Sequence, residues 1–354
     1  VDSGNKSAQP APFIPKRKAV SASQQGWIKE ELLRPEFSTA LLVQPSVRGI
    51  DIVLWAAGNR DFIDARLLHH GAILFRHFDV TSVAVFERLI QATSSAAMDY
   101  HDRTSPRDQV SGQVYTSTTH PADQTILLHN ENSYSWNWPT KIYFHCVVAP
   151  QAGGETPIAD CRKVLRNINP RLRRLFEERQ VMYVRNFGDG FGLTWQAAFE
   201  TNEKSAVELF CRTAGIKCEW KDGNRLRTRQ VRPAVAKHPP TSEMVWFNQA
   251  VLFHVASLGA MERAVLLSEF AEDDLPSNCF FGDGSAIEGS MLEEISEAYR
   301  QEKICFPWQK GDVLLLDNML MAHGREAFVG KRQIVVGMSD PDDWDKINHR
   351  GIRS

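Results

Sequence analysis

The residues best suited to chemistry are a histidine and a carboxylate two positions apart, His129-Asn130-Glu131, directly after the β-type run Thr125-Ile126-Leu127-Leu128. On an extended strand, positions i and i+2 point to the same side, so one imidazole and one carboxylate should project together. A second imidazole beside them would complete the two-histidine, one-carboxylate face that leaves three positions open on a non-haem Fe(II) for a chelating oxo acid and O2. His323 is the candidate. It lies in Leu316-Asp317-Asn318-Met319-Leu320-Met321-Ala322-His323-Gly324-Arg325, where an apolar strand runs into a polar turn. Alone, His-x-Glu is a common chance match, and a lone strand histidine is usually a hydrogen-bonded structural residue.

An oxo diacid chelating iron through one end needs a cation for its far carboxylate. Guanidinium suits that task because it bonds a carboxylate bidentately and stays charged. Arg332 is the first choice, and Arg325 the second, although Arg325 could instead brace the turn beside His323. The bland reading of Arg332 is a surface strand arginine paired with an acid. Gly153-Gly154-Glu155-Thr156-Pro157 supplies a tight turn followed by a hydroxyl. Its structural reading is a strand connection, and its functional reading gives Thr156 a hydrogen bond to the co-substrate.

The elements that must position these groups are short β-type runs on both sides of a helix-containing stretch. An apolar run at Ala72-Phe75 follows a helical pattern that ends near His70-Gly71. Thr81 to Ala97 reads as a helix capped by Thr81 or Ser82. Strands are expected at Val114-Ser117, Thr125-His129, Lys141-Val148, Met244-Phe247, Asp312-Asp317 and Arg332-Gly337. Cys161 to Glu178, Thr201 to Ala214 and Met261 to Glu269 read as helices. Early and late strands meeting in space would form a distorted jelly roll, which would bring His129 and His323 together. The expected fold class is therefore mainly β with helical additions, and the expected organisation is a loose Ser-, Pro- and Lys-rich arm over residues 1–23 followed by one domain over residues 24–354, with a large insert around residues 183–300.

Bulk properties narrow the partner. The chain has 354 residues, 43% of them hydrophobic and 24% charged, with a formal net charge of −2. That describes a globular protein without the basic footprint that nucleic acid or an anionic membrane would require. A small-molecule substrate fits better. The six cysteines show neither CxxC spacing nor the density of a disulfide scaffold, which points to a reducing cytoplasm. No apolar run approaches a bilayer-spanning length.

Taken together, HNENSYSWNWPTKIYFHC, GGETPIAD and LLLDNMLMAHGREAFVGKRQIVVGM resemble the TauD/TfdA-like superfamily of Fe(II)/2-oxoglutarate oxygenases. Within it the chain is most similar to the syringomycin-biosynthesis-type hydroxylase branch, over about Val43 to Asp340. The resemblance implies a double-stranded β-helix of the clavaminate synthase-like kind. It also implies iron ligation by His129, Glu131 and His323, and 2-oxoglutarate binding by Thr156 and Arg332. The implied chemistry couples oxidative decarboxylation of 2-oxoglutarate, to succinate and carbon dioxide, to insertion of oxygen into a substrate C–H bond. Members that halogenate carry a small residue in place of the carboxylate ligand, so Glu131 favours hydroxylation. The implied substrate is amino-acid-like, free or tethered to a carrier protein, in natural-product biosynthesis.

For the substrate pocket the candidates are Asn132, Ser133 and Tyr134 beside the ligand strand, with Arg107, Trp246, Asn248 and His254. Each has a bland alternative: Trp246 as core, Arg107 as a salt-bridge partner, His254 as a satisfied buried histidine. Gln249 departs from the branch's usual residue and would shift specificity without touching iron if it lines the pocket. Desaturation, cyclisation or C–C cleavage could follow from the same cofactors. A metal-binding sensor that kept the fold without turnover, or a zinc hydrolase with the same ligand types, is the competing class. No HExxH-type helix supports hydrolysis. Oligomeric state is left open.

Overall fold

Val313–Asp317 is buried at every position, as a strand must be when both faces of its sheet are covered. In the computed structural model it lies near the middle of an eight-stranded sheet. The spatial order is Ile28–Leu32, Leu41–Pro45, Ala72–Phe75, Val313–Asp317, Asn137–Val148, Gln333–Asp343, Val114–Thr116 and Gln109–Ser111. All neighbours are antiparallel except the parallel pair of Leu41–Pro45 and Ala72–Phe75. The structure describes residues 24–96, 98, 109–112, 114–116, 120–188, 190 and 192–351. The arm expected over residues 1–23 and the candidate Arg107 lie outside them.

Strand alternation sorts the apolar side chains into two layers. Ile73, Phe75, Val313, Leu315 and Val335 face one way and bury Ile52, Trp55, Ile63, Leu67, Phe86 and Leu89. Those partners come from the helices Ile52–Gly58, Arg60–His70 and Val83–Thr93. The first helix is capped by Asp51, whose carboxylate accepts the N–H groups of Val53 and Leu54, and the third by Ser82, which accepts the N–H of Val85. Leu74, Ile142, Phe144, Leu314, Leu316, Ile334 and Val336 face the opposite layer, which holds the candidate site.

That layer contains a three-stranded antiparallel sheet, with Met321–Arg325 between Ile126–His129 and Ile158–Asp160. A separate four-stranded sheet runs in the order Lys217–Lys221, Arg225–Arg232, Val181–Phe187 and Ser277–Phe281. Apart from Val181–Phe187, part of which precedes it, this sheet lies in the expected insert, and its strands were not among those expected. The helices expected at residues 201–214 and 261–269 are present as Lys204–Thr213 and Ala260–Glu269.

One expected helix is two. Cys161–Asn167 ends before Pro170–Arg179 begins, with Ile168 extended and Asn169 accepting the N–H of Arg171 as a cap. Proline at the first helical position drives the residue before it out of the helical region, so the chain must break there. Among the described residues no helix is long and apolar enough to cross a membrane. Among the described residues none of the six cysteines forms a disulfide.

Candidate metal centre

The strand bearing the first histidine ends at His129, and Glu131 sits in the turn that follows. This corrects the expectation that both project from one extended strand. The turn still brings the carboxylate back, with Glu131 Oε2 at 3.9 Å from His129 Nε2. Left-handed backbone at Asn132 (φ 55°) reverses the chain just after it.

His323 arrives by strand pairing. It is the register partner of His129 on one side and of Ile158 on the other, and its Nε2 lies 3.8 Å from Glu131 Oε2. The two imidazole rings are 4.6 Å apart. Gly324 allows this approach, because a Cβ there would lie 2.5 Å from the carbonyl oxygen of Ile126. A β-bulge between His323 and Arg325 marks the same crowding. Phe144 of the central sheet supports the His323 ring at 5.1 Å.

The donor set fits a metal ion. His129 Nδ1 donates to the Leu127 carbonyl at 2.7 Å, which fixes the tautomer and leaves the Nε2 lone pair available. The 3.8 and 3.9 Å gaps are too long for hydrogen bonds, yet two atoms each about 2.1 Å from a shared ion can span them. Ligand atoms of His129, Glu131 and His323 all lie within 4.8 Å of one another, and they form the one such group found among the described residues. Two imidazoles and one carboxylate favour a divalent transition metal and leave open positions on one face.

Arg332 lies against the Gly153-Gly154 turn, and Thr156 follows that turn along the chain. Gly154 has φ 69°, and a Cβ on it would meet the Arg332 side chain at 3.0 Å. Arg332 Nε donates to the Gly154 carbonyl at 2.8 Å, and its guanidinium stacks 5.6 Å from the Phe328 ring. Burial, with a smaller contribution from the like charge of Arg325, pushes the Arg332 pKa down to about 10. Buried Thr156 accepts the Trp308 indole N–H at 3.2 Å. Arg325 instead donates to three carbonyls, those of His120, Pro121 and Gln124, and so ties down the loop ahead of the His129 strand.

Beside the metal-ligand group lies a cavity of about 780 Å³. His129 and Glu131 line it, together with Arg185 and Phe187 of the four-stranded sheet, Gln249, Phe253 and Met261. Gln249 is thus on the wall of this cavity. Asn132, Ser133, Tyr134, Trp246, Asn248 and His254 are not on this wall. Ser133 donates to the Asn130 carbonyl, and Tyr134 packs in the core 4.9 Å from Phe253. Trp246 packs edge-on against Phe176, Asn248 braces Ala234 and Ala250, and His254 accepts the Ala256 N–H. Asn132 is buried, with no side-chain partner among the described residues. Residues 132–134, expected beside the ligand strand, follow the reversal at Asn132 and are buried off this wall. Arg185 carried no signal beyond its place in Tyr183-Val184-Arg185-Asn186-Phe187, an apolar run interrupted by charge.

Comparison with known proteins adds kinship to this geometry. The profile of the family described as "Taurine catabolism dioxygenase TauD, TfdA family" matches residues 35–338. The chain is 39% identical over 279 residues to the dapdiamide synthesis protein DdaC of Enterobacter agglomerans, covering 79% of this chain and 85% of the relative. It is 29% identical over 289 residues to a clavaminate synthase-like protein of Arabidopsis thaliana, covering 79% and 84%. Among solved structures, PvcB, described as an Fe, alpha-ketoglutarate dependent oxygenase from an isonitrile synthetic pathway, superposes with a TM-score of 0.54 over 94% of this chain and 95% of PvcB. Sequence identity to it is 15%, so that likeness speaks for the fold.

Proposed function

Because the chain belongs to the TauD, TfdA family of dioxygenases and is an Fe(II)- and 2-oxoglutarate-dependent oxygenase, we propose that it hydroxylates an unactivated C–H bond of an amino-acid-like small molecule in natural-product biosynthesis. The observation that carries this reading is the cluster of His129, Glu131 and His323 opening onto a cavity of about 780 Å³. The three side chains would hold Fe(II). When bound, the metal and 2-oxoglutarate supply an oxidant from O2, with succinate and carbon dioxide as co-products. The protein's share is to hold the ligands, exclude water and place one C–H bond over the open face.

In this reading Arg332 pairs with the far carboxylate of 2-oxoglutarate, and its burial strengthens a charge-assisted contact that bulk water would screen. Thr156 adds a hydroxyl, and Arg325 braces the loop. The eight-stranded and three-stranded sheets act as the two walls of a double-stranded β-helix in one oxygenase domain, and the four-stranded sheet of the insert closes the substrate cavity. That volume exceeds the need of a free amino acid and lies within the range of ligand sites for larger molecules. It suits an aminoacyl group that is part of a longer molecule, including one tethered to a carrier protein. The spacing and number of the cysteines agree with a cytoplasmic setting.

Anaerobic titration with Fe(II) and 2-oxoglutarate, followed by admission of O2 and a screen of free and carrier-bound aminoacyl substrates, tests the proposal. Succinate release above the uncoupled background, with a product heavier by one oxygen atom, is expected. A product lighter by two hydrogens would replace hydroxylation with desaturation. Absence of 2-oxoglutarate turnover with every substrate and without any would end the reading.

A further inference from the structure

Glu131 lies beyond the strand that carries His129, so no β-ladder fixes its backbone, yet a metal ligand must be held to a fraction of an ångström. Two carboxamides from distant segments do this instead. Asn318 Oδ1 accepts the Glu131 N–H at 2.8 Å, and Asn318 Nδ2 donates to the Glu131 carbonyl at 2.9 Å. Asn318 Nδ2 also reaches the Pro139 carbonyl at 2.9 Å, and the Asn318 carbonyl in turn accepts from Asn130 Nδ2 at 2.6 Å. From the cavity wall, Gln249 Nε2 donates to the Asn130 carbonyl at 2.6 Å. The amide orientation is dictated by chemistry, because the Gln249 oxygen cannot face a carbonyl oxygen at that distance. All of these groups are buried.

Asn318 opens the turn that leads into the His323 strand, so it ties the carboxylate ligand to the segment bearing the second imidazole. It is itself held from behind. Asp317 accepts the N–H groups of Met319 and Leu320, both at 3.0 Å, and His238 Nε2 donates to Asp317 Oδ2 at 3.1 Å.

We propose that Asn318 and Gln249 are positioning residues, a clamp on the Asn130-Glu131 peptides that sets the separation of Glu131 from both histidines and hence metal affinity. The inference rests on the assignment of His129, Glu131 and His323 as metal ligands. Asn318, with two bonds to the ligand residue itself, is the dominant member. Gln249 is the member that also lines the cavity, and so the one that a bound substrate can touch.

Co(II) serves as the probe, because its visible absorption reports ligand number and geometry without turnover. Metal titration, and the rise in melting temperature between apo and Co(II)-loaded protein, are measured for the wild type, Asn318→Ala, Asn318→Asp and Gln249→Leu. Removal of such outer partners typically weakens metal binding about 10- to 100-fold. We expect a loss of that order for Asn318→Ala, an altered Co(II) spectrum, and a smaller loss for Gln249→Leu. Asn318→Asp keeps an acceptor for the Glu131 N–H but turns an oxygen toward the Glu131 and Pro139 carbonyls, so it should weaken Co(II) binding at least as much as Asn318→Ala, and Gln249→Leu keeps the proposal testable if the Asn318 variants fail to fold. Variants that lower the apo melting temperature yet retain the wild-type Co(II) affinity and spectrum would reduce the clamp to ordinary structure and overturn the proposal. Failure of the wild type to bind Co(II) would instead remove the ligand assignment on which it rests.

Discussion

His129 and His323 face each other as register partners across two antiparallel strands, with their rings 4.6 Å apart. Strand pairing itself therefore sets the separation of the two imidazoles, and the carboxylate is brought to them by a turn. Ligand geometry is accordingly sensitive to changes that shift register or part the strands.

In the proposed reading, replacing either histidine removes one of the three metal ligands found among the described residues. His129→Ala and His323→Ala should each bring turnover below detection and empty the site of Fe(II), with far-UV circular dichroism unchanged. Metal analysis of the purified variants checks this. A variant that retains full iron and succinate production would exclude its histidine as a ligand.

Gly324→Ala should act on the same geometry without touching a ligand. The added Cβ would collide with the Ile126 carbonyl at 2.5 Å, and overpacking of this kind costs about 1–3 kcal/mol. A lower melting temperature and weaker metal binding are expected together. Wild-type metal affinity in a folded Gly324→Ala protein would show that the strands can separate without disturbing the site.

Arg332 and Arg325 should separate by phenotype. A charge-assisted hydrogen bond contributes about 1.5–3 kcal/mol, so Arg332→Ala should raise the 2-oxoglutarate KM by about one to two orders of magnitude with metal content unchanged. Arg325→Ala strips three carbonyls of their partner and should chiefly destabilise the loop before His129. If saturation by 2-oxoglutarate is unchanged in Arg332→Ala, the co-substrate role passes to Arg325.

Acid stability should depend on His145, which is buried, donates to the Asp312 carbonyl at 3.1 Å and stacks on Phe86. Burial lowers its pKa below the usual 6.5, against a smaller raising effect of the bond to Asp312. Below about pH 6.5 the unfolded chain takes up a proton that the folded one resists, so stability falls with pH until the depressed folded pKa is reached. The slope for one such histidine is at most about 1.4 kcal/mol per pH unit. His145→Gln should flatten the loss of melting temperature between pH 6.5 and 5, and an unchanged slope would assign it to His70, His120 or His254, which burial also depresses.

Much of this protein follows from local order in the chain. The apolar run Val313 to Leu316, the cap at Ser82 and the Gly153-Gly154 turn are near-neighbour effects that a reader of residues can weigh, and the nearness of His129 to Glu131 follows from the single residue between them in either a strand or a turn. Arg225–Arg232 carries no strand signal because it buries Arg227, Thr228 and Gln230 where an apolar stripe would indicate burial, and Lys217–Lys221 has no fully buried position to mark it. Tertiary structure alone decided that His323 pairs with His129, that Arg325 braces a loop while Arg332 folds against Gly154, and that Asn318 and Gln249 grip the ligand turn. Each of these is a contact between segments far apart in the chain, selected by the register of whole strands and the burial of whole layers, and no short window of residues contains the energy that chooses them.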